Sequence, residues 1–242
     1  MPTDAAAALA DDLIDRLRAA ADPANIAGMA RYGISPVGTL GVTVPTLRGI
    51  VRELRPLRRA DPELVHEVAA RLWASGIHEA RMLAGFLDVP VLVTPQQADA
   101  WVADVDSWDT CDQLQDLFAA TPFAYDKARE WAGRKETFVK RAAFALICAL
   151  AIHDRQAPDE RIAALLPLIE REAPDERPYV HKGVNWALRQ IGKRSAACHE
   201  AAVTTGERIL VVHAGSKAAC WVARDALREL RSEAVLRRLG LA

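Results

Sequence analysis

The sequence is poor in cysteine, in lysine and in net charge. Basic and acidic residues number 31 and 32, and the formal net charge of −1 excludes a globally basic nucleic-acid coat but not a local basic face. Only six basic residues are Lys and the other 25 are Arg. Such an excess suits phosphate recognition, although a GC-rich coding sequence explains it equally, and we favour that compositional explanation. No C-x-x-C pair occurs among the four cysteines, so a disulfide framework is excluded and a reducing compartment is expected: Cys111, Cys148, Cys198 and Cys220.

Long apolar runs are also missing. No stretch of about 18 uninterrupted apolar residues occurs, so no membrane span is expected. The chain begins Met1-Pro2-Thr3-Asp4 and lacks the basic start of a signal peptide. Hydrophobic residues make up 51% of the 242 residues, which excludes intrinsic disorder for most of the length. We therefore expect a cytoplasmic protein with a sizeable core and no membrane partner.

Helical periodicity runs through the chain, because apolar residues recur at three- and four-residue steps. These stripes lie around residues 9–17, 47–54, 64–73, 80–87, 98–105, 111–118, 128–131, 138–151, 162–169, 180–191, 219–230 and 235–239. Prolines are expected to break the helices at Pro45, Pro56, Pro62, Pro90, Pro95, Pro122, Pro158, Pro174 and Pro178. Asp61-Pro62 and Thr94-Pro95 resemble a cap followed by a first turn. Residues 39–44, 89–93 and 209–213 have strand-like composition, but they are isolated, so a sheet is not expected.

A repeat is visible within the helical pattern. The segments 138–146, 179–188 and 215–223 resemble one another, and alignment of Arg141, Lys182 and Lys217 gives offsets of 41 and 35 residues. A further copy can start at Glu79-Ala80-Arg81. A helix-pair repeat of about 40 residues is typical of a HEAT-like solenoid. The repeated basic residue would then line one face, so that a nearly neutral protein can still have a positive concave groove.

Familiar catalytic motifs are missing. The sequence has no phosphate-binding P-loop, no H-E-x-x-H, no G-x-S-x-G and no calcium loop. Its six histidines show no metal-ligand spacing, and each is expected at the surface or at a helix end: His66, His78, His153, His181, His199 and His213.

One segment concentrates polar residues with an aromatic, Ser107-Trp108-Asp109-Thr110-Cys111-Asp112. Either Ser107 or Asp109 would cap the following helix, with Asp112 in its first turn. Trp108 and Asp112 are four residues apart and can share one side of the helix. The structural alternative is that Asp112 only favours the helix dipole and that Trp108 belongs to the core.

Three segments together resemble the bacterial DNA alkylation repair family, the AlkD-like DNA glycosylases built from HEAT-like repeats. They are Ser107 to Asp112, Val139-Lys140-Arg141-Ala142-Ala143, and Tyr179 to Arg189 with its ending Trp186-Ala187-Leu188-Arg189. The opening Met29-Ala30-Arg31-Tyr32, followed by Leu40-Gly41-Val42 and Pro45-Thr46-Leu47-Arg48, is similar as well. The likeness covers roughly residues 10–240, and its motifs are specific through their joint order and spacing.

The resemblance implies excision of cationic N3- and N7-alkylated purines from duplex DNA, with hydrolysis of the N-glycosidic bond. It implies Asp112 as the catalytic carboxylate, and Trp108 and Trp186 on either side of the lesion nucleotide. Arg141 would contact a phosphate beside the lesion. Tyr179, where the family pattern is Phe-like, and Arg189 would lie at the DNA surface.

These residue types fit the chemistry. An alkylated purine already carries positive charge and leaves as a neutral base without a general acid. The sugar then develops oxocarbenium character, which a carboxylate can stabilise, or the carboxylate can position water. A first-turn Asp would stay ionised near the positive helix end. Trp faces attract cations by about 0.5–2 kcal/mol each, so two Trp walls would favour a cationic sugar and base.

Affinity for DNA must come from phosphate contacts, and for each basic residue a solvated helix face is an equally good explanation. The candidates are Arg134, Lys135, Lys140, Arg141, Lys182, Arg189, Lys193, Arg194, Lys217 and Arg224. The remaining tryptophans are assigned mostly to helix packing: Trp73, Trp101, Trp131 and Trp221.

The sequence thus predicts an all-α protein with one HEAT-like domain over residues 1–242, in which the first few residues could be disordered. Its concave basic cleft would bind double-stranded DNA that contains alkylated bases. The expected activity is that of a monofunctional glycosylase in base excision repair, active as a monomer and without a metal or organic cofactor. The alternative is a non-catalytic helical-repeat module that binds DNA structures or a protein partner.

Overall fold

The computed structural model describes residues 4–242. The expected disorder of the first few residues concerns residues 1–3, which lie outside the described residues. The chain divides into two compact units, one that ends at Thr121 and one that begins at Pro122. The single domain over residues 1–242 stays a prediction.

Seven helices form the described part of the first unit, residues 4–121. They are α1 (Asp4–Ala19), α2 (Pro23–Arg31), α3 (Val44–Ala60), α4 (Pro62–Ala74), α5 (His78–Leu87), α6 (Pro95–Ala103) and α7 (Trp108–Ala119). α5 packs against α3, α4 and α7, and α4 also packs against α1. The predicted caps of α4 and α6 are confirmed, because the side chains of Asp61 and Thr94 accept hydrogen bonds from the backbone N–H groups of Leu64 and Gln97.

Eight helices form the second unit. They are α8 (Ala124–Ala132), α9 (Thr137–His153), α10 (Asp159–Ala163), α11 (Leu166–Glu172), α12 (Pro178–Gly192), α13 (Ala196–Val212), α14 (Lys217–Leu230) and α15 (Glu233–Leu239). α9, α12 and α14 pack side by side as one layer, and α8, α11 and α13 form a second layer against them. This stacking of helix pairs is the arrangement that a HEAT-like repeat requires. The three repeat segments around Arg141, Lys182 and Lys217 lie at the starts of the first-layer helices.

Burial explains which helices have a strong sequence signal. Every residue of α9 from Arg141 to Ala151 is buried, as expected for a helix covered on all sides. α2 has no buried residue and therefore no apolar stripe. α13 packs through small residues such as Ala202 and Gly206, so the apolar periodicity misses it as well. Its end, Ile209–Val212, is helical rather than strand-like, and no strand occurs within residues 4–242.

Two predicted helix boundaries are wrong. Pro56 lies inside α3 instead of ending it. It is exposed, so water can replace the backbone donor that proline lacks. The stripe over residues 162–169 is two short helices, α10 and α11, that are separated at Ala164–Leu165. Within residues 4–242 every helix is too short or too polar to span a bilayer.

Three of the tryptophans assigned to packing are buried, as predicted: Trp73, Trp101 and Trp131. The rings of Trp73 and Trp101 stack with centroids 4.5 Å apart. Trp221 is 43% exposed, so its assignment to packing is wrong.

Candidate functional site

The start of α7 presents an aromatic and a carboxylate on one side. Trp108 is the first residue of α7, and Asp112 lies one turn later; both are half-buried. The indole N–H of Trp108 donates a 2.9 Å hydrogen bond to the carbonyl oxygen of Tyr32. This bond holds the Trp108 ring through a residue outside α7. Because Trp108 is partly exposed, it is not a core residue, unlike in the structural alternative.

The predicted caps of α7 are wrong. Ser107 occupies the N-cap position but makes no side-chain cap, because its hydroxyl oxygen accepts a 2.7 Å hydrogen bond from the N–H of Ser35. Asp109 lies inside α7 and is the acidic residue of its first turn, whereas Asp112 is one turn further on. The positive helix end therefore favours the charge of Asp109 more than that of Asp112.

Asp109 pairs with a buried histidine. Nε2 of His78, which is 4% exposed, lies 2.9 Å from Oδ2 of Asp109. Burial lowers the pKa of the His78 imidazole, but the hydrogen bond and charge of Asp109 outweigh it, so the pKa is raised. Oδ1 of Asp109 is buried and has no hydrogen-bond partner among the described residues. When His78 is protonated, its charge compensates that of the buried Asp109 carboxylate.

Glu79, beside His78, holds a loop that precedes α3. It is fully buried, and its carboxylate accepts hydrogen bonds from the backbone N–H groups of Leu40, Gly41 and Val42 at 2.9, 2.7 and 3.1 Å. The start of α5 thus connects to α7 through His78 and to this loop through Glu79.

Sequence reasoning did not single out His78 and Glu79 as site residues. The repeat contains a usable signal: if Arg81 is aligned with Arg141, Glu79 occupies the place of Val139, which is buried. A charged residue at a buried repeat position requires polar partners. The expectation of surface or helix-end histidines holds for His199, which is buried, only in that this residue lies in the first turn of α13. It holds for His78 only in that this residue begins α5.

A surface cavity of about 710 Å³ lies beside Trp108. It is formed by α2, the loop before α3, and the start of α7. Its lining is mainly apolar and includes Met29, Tyr32, Val42, Met82, Trp108, Asp109 and Gln113. A planar group the size of a nucleobase can therefore approach the Trp108 ring from this side.

In the second unit, Arg141 and Tyr179 are brought together. Arg141 is 7% exposed, and its Nη1 donates a 2.8 Å hydrogen bond to the carbonyl oxygen of Tyr179. The Tyr179 ring packs at a tilt against Phe138, with centroids 5.3 Å apart. Arg141 thus links α9 to the start of α12, and its contact with phosphate stays a prediction.

The two candidate lysines differ in their surroundings. Nζ of Lys140 lies 2.5 Å from Glu172 and 3.4 Å from Asp175, and its side chain is largely buried. Burial opposes ionisation of Asp175, but hydrogen bonds from Arg177, together with the Lys140 charge, lower its pKa to about 2. Lys182 is exposed at the start of α12. The charge of Lys140 is therefore compensated within the protein, and that of Lys182 faces solvent.

Most of the other candidate basic residues of α12 and its C-terminal end form ion pairs within the protein. Trp186 is half-buried in the middle of α12. Arg189, one turn later, pairs with Glu229 at 2.5 Å, and Lys193 pairs with the same carboxylate at 2.6 Å. Arg194 pairs with Asp159 and donates to two backbone carbonyls. The concave basic cleft, and the place of Trp186 beside the lesion, stay predictions.

No group of three or more His, Cys, Asp or Glu side chains within residues 4–242 is arranged to hold a metal ion. The geometry around α7 instead offers an aromatic ring, a carboxylate and an apolar cavity.

Comparisons with known proteins agree with this architecture. The model of the family described as DNA alkylation repair enzyme matches residues 13–230. One similar solved structure has a TM-score of 0.72 and 17% sequence identity, with 95% of each chain covered. It belongs to "a new family of proteins related to the HEAT-like repeat DNA glycosylases with affinity for branched DNA structures". At this identity the likeness shows the fold, so the all-α HEAT-like prediction is confirmed. No curated protein matches the chain.

Proposed function

Because this chain belongs to the DNA alkylation repair enzyme family, we propose that it is a monofunctional DNA glycosylase. Its substrates are cationic N3- and N7-alkylated purines in duplex DNA, and it hydrolyses their N-glycosidic bond. The observation that carries the proposal is the placement of Trp108 and Asp112 on one side of α7, with an apolar cavity against Trp108 that Asp112 itself does not line.

Each residue has a role in this reaction. The Asp112 carboxylate stabilises the oxocarbenium-like sugar or positions the attacking water. The Trp108 face attracts the cationic nucleotide, and its hydrogen bond to Tyr32 keeps the ring in place. Trp186 contributes the second aromatic face. Tyr179, Arg189, Lys182 and Arg141 supply the DNA-contacting surface that the family resemblance implies. Lys140, which the resemblance also places there, has its charge compensated by Glu172 and Asp175.

The test is release of methylated purines from alkylated duplex DNA at low salt, with Asp112→Asn compared with the native protein. The substitution should lower the rate by about 10²–10³, the usual cost of losing an electrostatic stabiliser. Asp116→Asn is the matched control, because it removes the same charge one turn further along α7. Its rate should stay within about twofold of the native rate.

Other outcomes separate mechanism from activity. If base release is unchanged in Asp112→Asn, the glycosylase activity is supported but the role of the Asp112 carboxylate is contradicted. No release by the native protein, with DNA binding intact, would overturn the enzymatic proposal.

The second candidate is a non-catalytic module that binds branched DNA. The observation that favours it is the shared fold with a family described by its affinity for such structures. A preference for a four-way junction over a duplex of equal length, together with no base release, would support it. Equal binding of both DNAs would argue against it.

A further inference from the structure

The exposed face of α14 carries three cations and a tryptophan. Lys217, Trp221, Arg224 and Arg228 recur at four-, three- and four-residue steps, so they share one side of the helix. All four are exposed. The opposite side is buried against the unit and consists of apolar residues: Ala219, Val222, Ala223, Ala226, Leu227 and Leu230.

This face repeats the pattern of α12. The alignment that places Lys182 on Lys217 also places Trp186 on Trp221 and Arg189 on Arg224. The pattern Lys-x₃-Trp-x₂-Arg therefore occurs twice, 35 residues apart, on two helices that pack side by side. The proposed function uses the α12 copy and leaves the α14 copy without a role.

The α14 copy is the more available of the two. In α12, Arg189 is half-buried and pairs with Glu229. In α14, neither Lys217 nor Arg224 forms an ion pair with any residue in the described range 4–242, whereas Arg228 pairs with Asp225. Positive charge without a partner is the feature that attracts phosphate.

Trp221 packs against one neighbouring ring and is otherwise partly open to solvent. The rings of His181 and Trp221 meet at 62°, with centroids 4.9 Å apart, and Trp221 is 43% exposed. A surface cavity of about 610 Å³ lies against the same helix and is lined by Lys217, Cys220, Trp221, Arg224 and Arg228, among others. A planar group of a ligand can thus stack on Trp221 while negatively charged groups of the same ligand reach the cations of α14.

We propose that the α14 face binds a segment of DNA whose bases are unpaired, with one base stacked on Trp221 and phosphates bound by Lys217 and Arg224. Duplex DNA hides its base faces, so an exposed tryptophan between cations fits an unpaired strand better than a double helix. This site goes beyond the proposed bond cleavage and does not depend on Asp112.

The first experiment measures binding of a fluorescent 20-nucleotide oligo-dT strand by anisotropy at low salt. Trp221→Ala should weaken binding about tenfold or more, because a base loses its stacking partner. Trp221→Phe keeps an aromatic face and should restore most of the affinity. Far-UV circular dichroism and thermal unfolding check that each variant folds.

The second experiment removes charge. Lys217→Gln/Arg224→Gln should lower the slope of log K against log salt by about 1.4 for a single strand, which corresponds to two phosphate contacts. The control is Arg55→Gln/Arg59→Gln, which removes two exposed charges from α3. Its slope should stay native.

Native binding by folded Trp221→Ala would overturn the proposal, and so would equal losses in the charge variant and its control. Asp112→Asn should bind oligo-dT as the native protein does. Loss of base release in that variant therefore reports on the glycosylase alone, and a failure of either proposal is visible separately.

Discussion

Nε2 of His78 lies 2.9 Å from the carboxylate of Asp109, and this buried pair joins the first residue of α5 to the first turn of α7. Asp109 stands between Trp108 and the turn that carries Asp112. The backbone that presents both proposed site residues is therefore held by an interaction whose charge depends on pH.

The stability contributed by the His78 charge should fall as pH rises. The folded-state pKa of His78 is raised, so this contribution is complete below about pH 6.5, the unfolded-state value. It is lost as pH rises through the folded-state pKa. His78→Gln keeps a donor for Asp109 but removes the charge. Urea unfolding at several pH values between 5.5 and 8.5 should show that its deficit against the native protein is larger at the acid end.

Asp109→Asn provides the complementary control, because it removes the charge partner. It should flatten the same pH dependence. A deficit of equal size at every pH in both variants would contradict protonation of His78 in the folded protein.

Alanine substitutions at Gly41 and Gly76 can distinguish the cost of backbone strain from the cost of steric overlap. Both have positive φ, 80° and 71°. A Cβ at Gly41 would overlap the carbonyl oxygen of Asp22, whereas a Cβ at Gly76 would meet nothing within 4 Å. We expect Gly76→Ala to lower the free energy of unfolding by about 1–2 kcal/mol, and Gly41→Ala by about 2–5 kcal/mol. Chemical denaturation measures both, and equal losses would show that the overlap at Gly41 relaxes freely.

Lys140 and Lys182 should have opposite effects when each is replaced by Gln. Lys140→Gln removes the cation that Glu172 and Asp175 share and leaves each of these largely buried carboxylates with one arginine, Arg171 or Arg177, so it should cost about 1–3 kcal/mol of stability. It should leave the salt dependence of duplex binding unchanged. Lys182→Gln should reduce the slope of log K against log salt by about 0.9 and leave stability native. The reverse pattern would place Lys140, rather than Lys182, on the DNA.

The sequence predicts the helices whose buried face is built from large apolar side chains, and it predicts the caps of α4 and α6. It misses α13, whose buried face includes Ala202 and Gly206, because small residues give weak periodicity. The four-residue spacing of Trp108 and Asp112 places them on one side of α7 correctly.

The partners of site residues could not be predicted in the same way. Ser107 bonds Ser35 and Lys140 bonds Glu172, residues that are 72 and 32 positions away along the chain. Such pairings are set by the packing of whole helices, whereas cap rules consider only the next three residues. Asp112 lies beyond the first turn, contrary to the prediction, because α7 begins at Trp108 with Ser107 rather than Asp109 at the N-cap position.

The carboxylate of Glu79 should protect the backbone amides of residues 40–42 from hydrogen exchange, although this segment is not helical. Amide hydrogens bonded to a buried acceptor exchange with solvent deuterium only when the structure around that acceptor opens. We therefore expect the amides of Leu40, Gly41 and Val42 to exchange on the timescale of α5, which carries Glu79, and not on that of a surface loop. On this expectation, residues 40–42 belong to the same cooperative unfolding unit as α5.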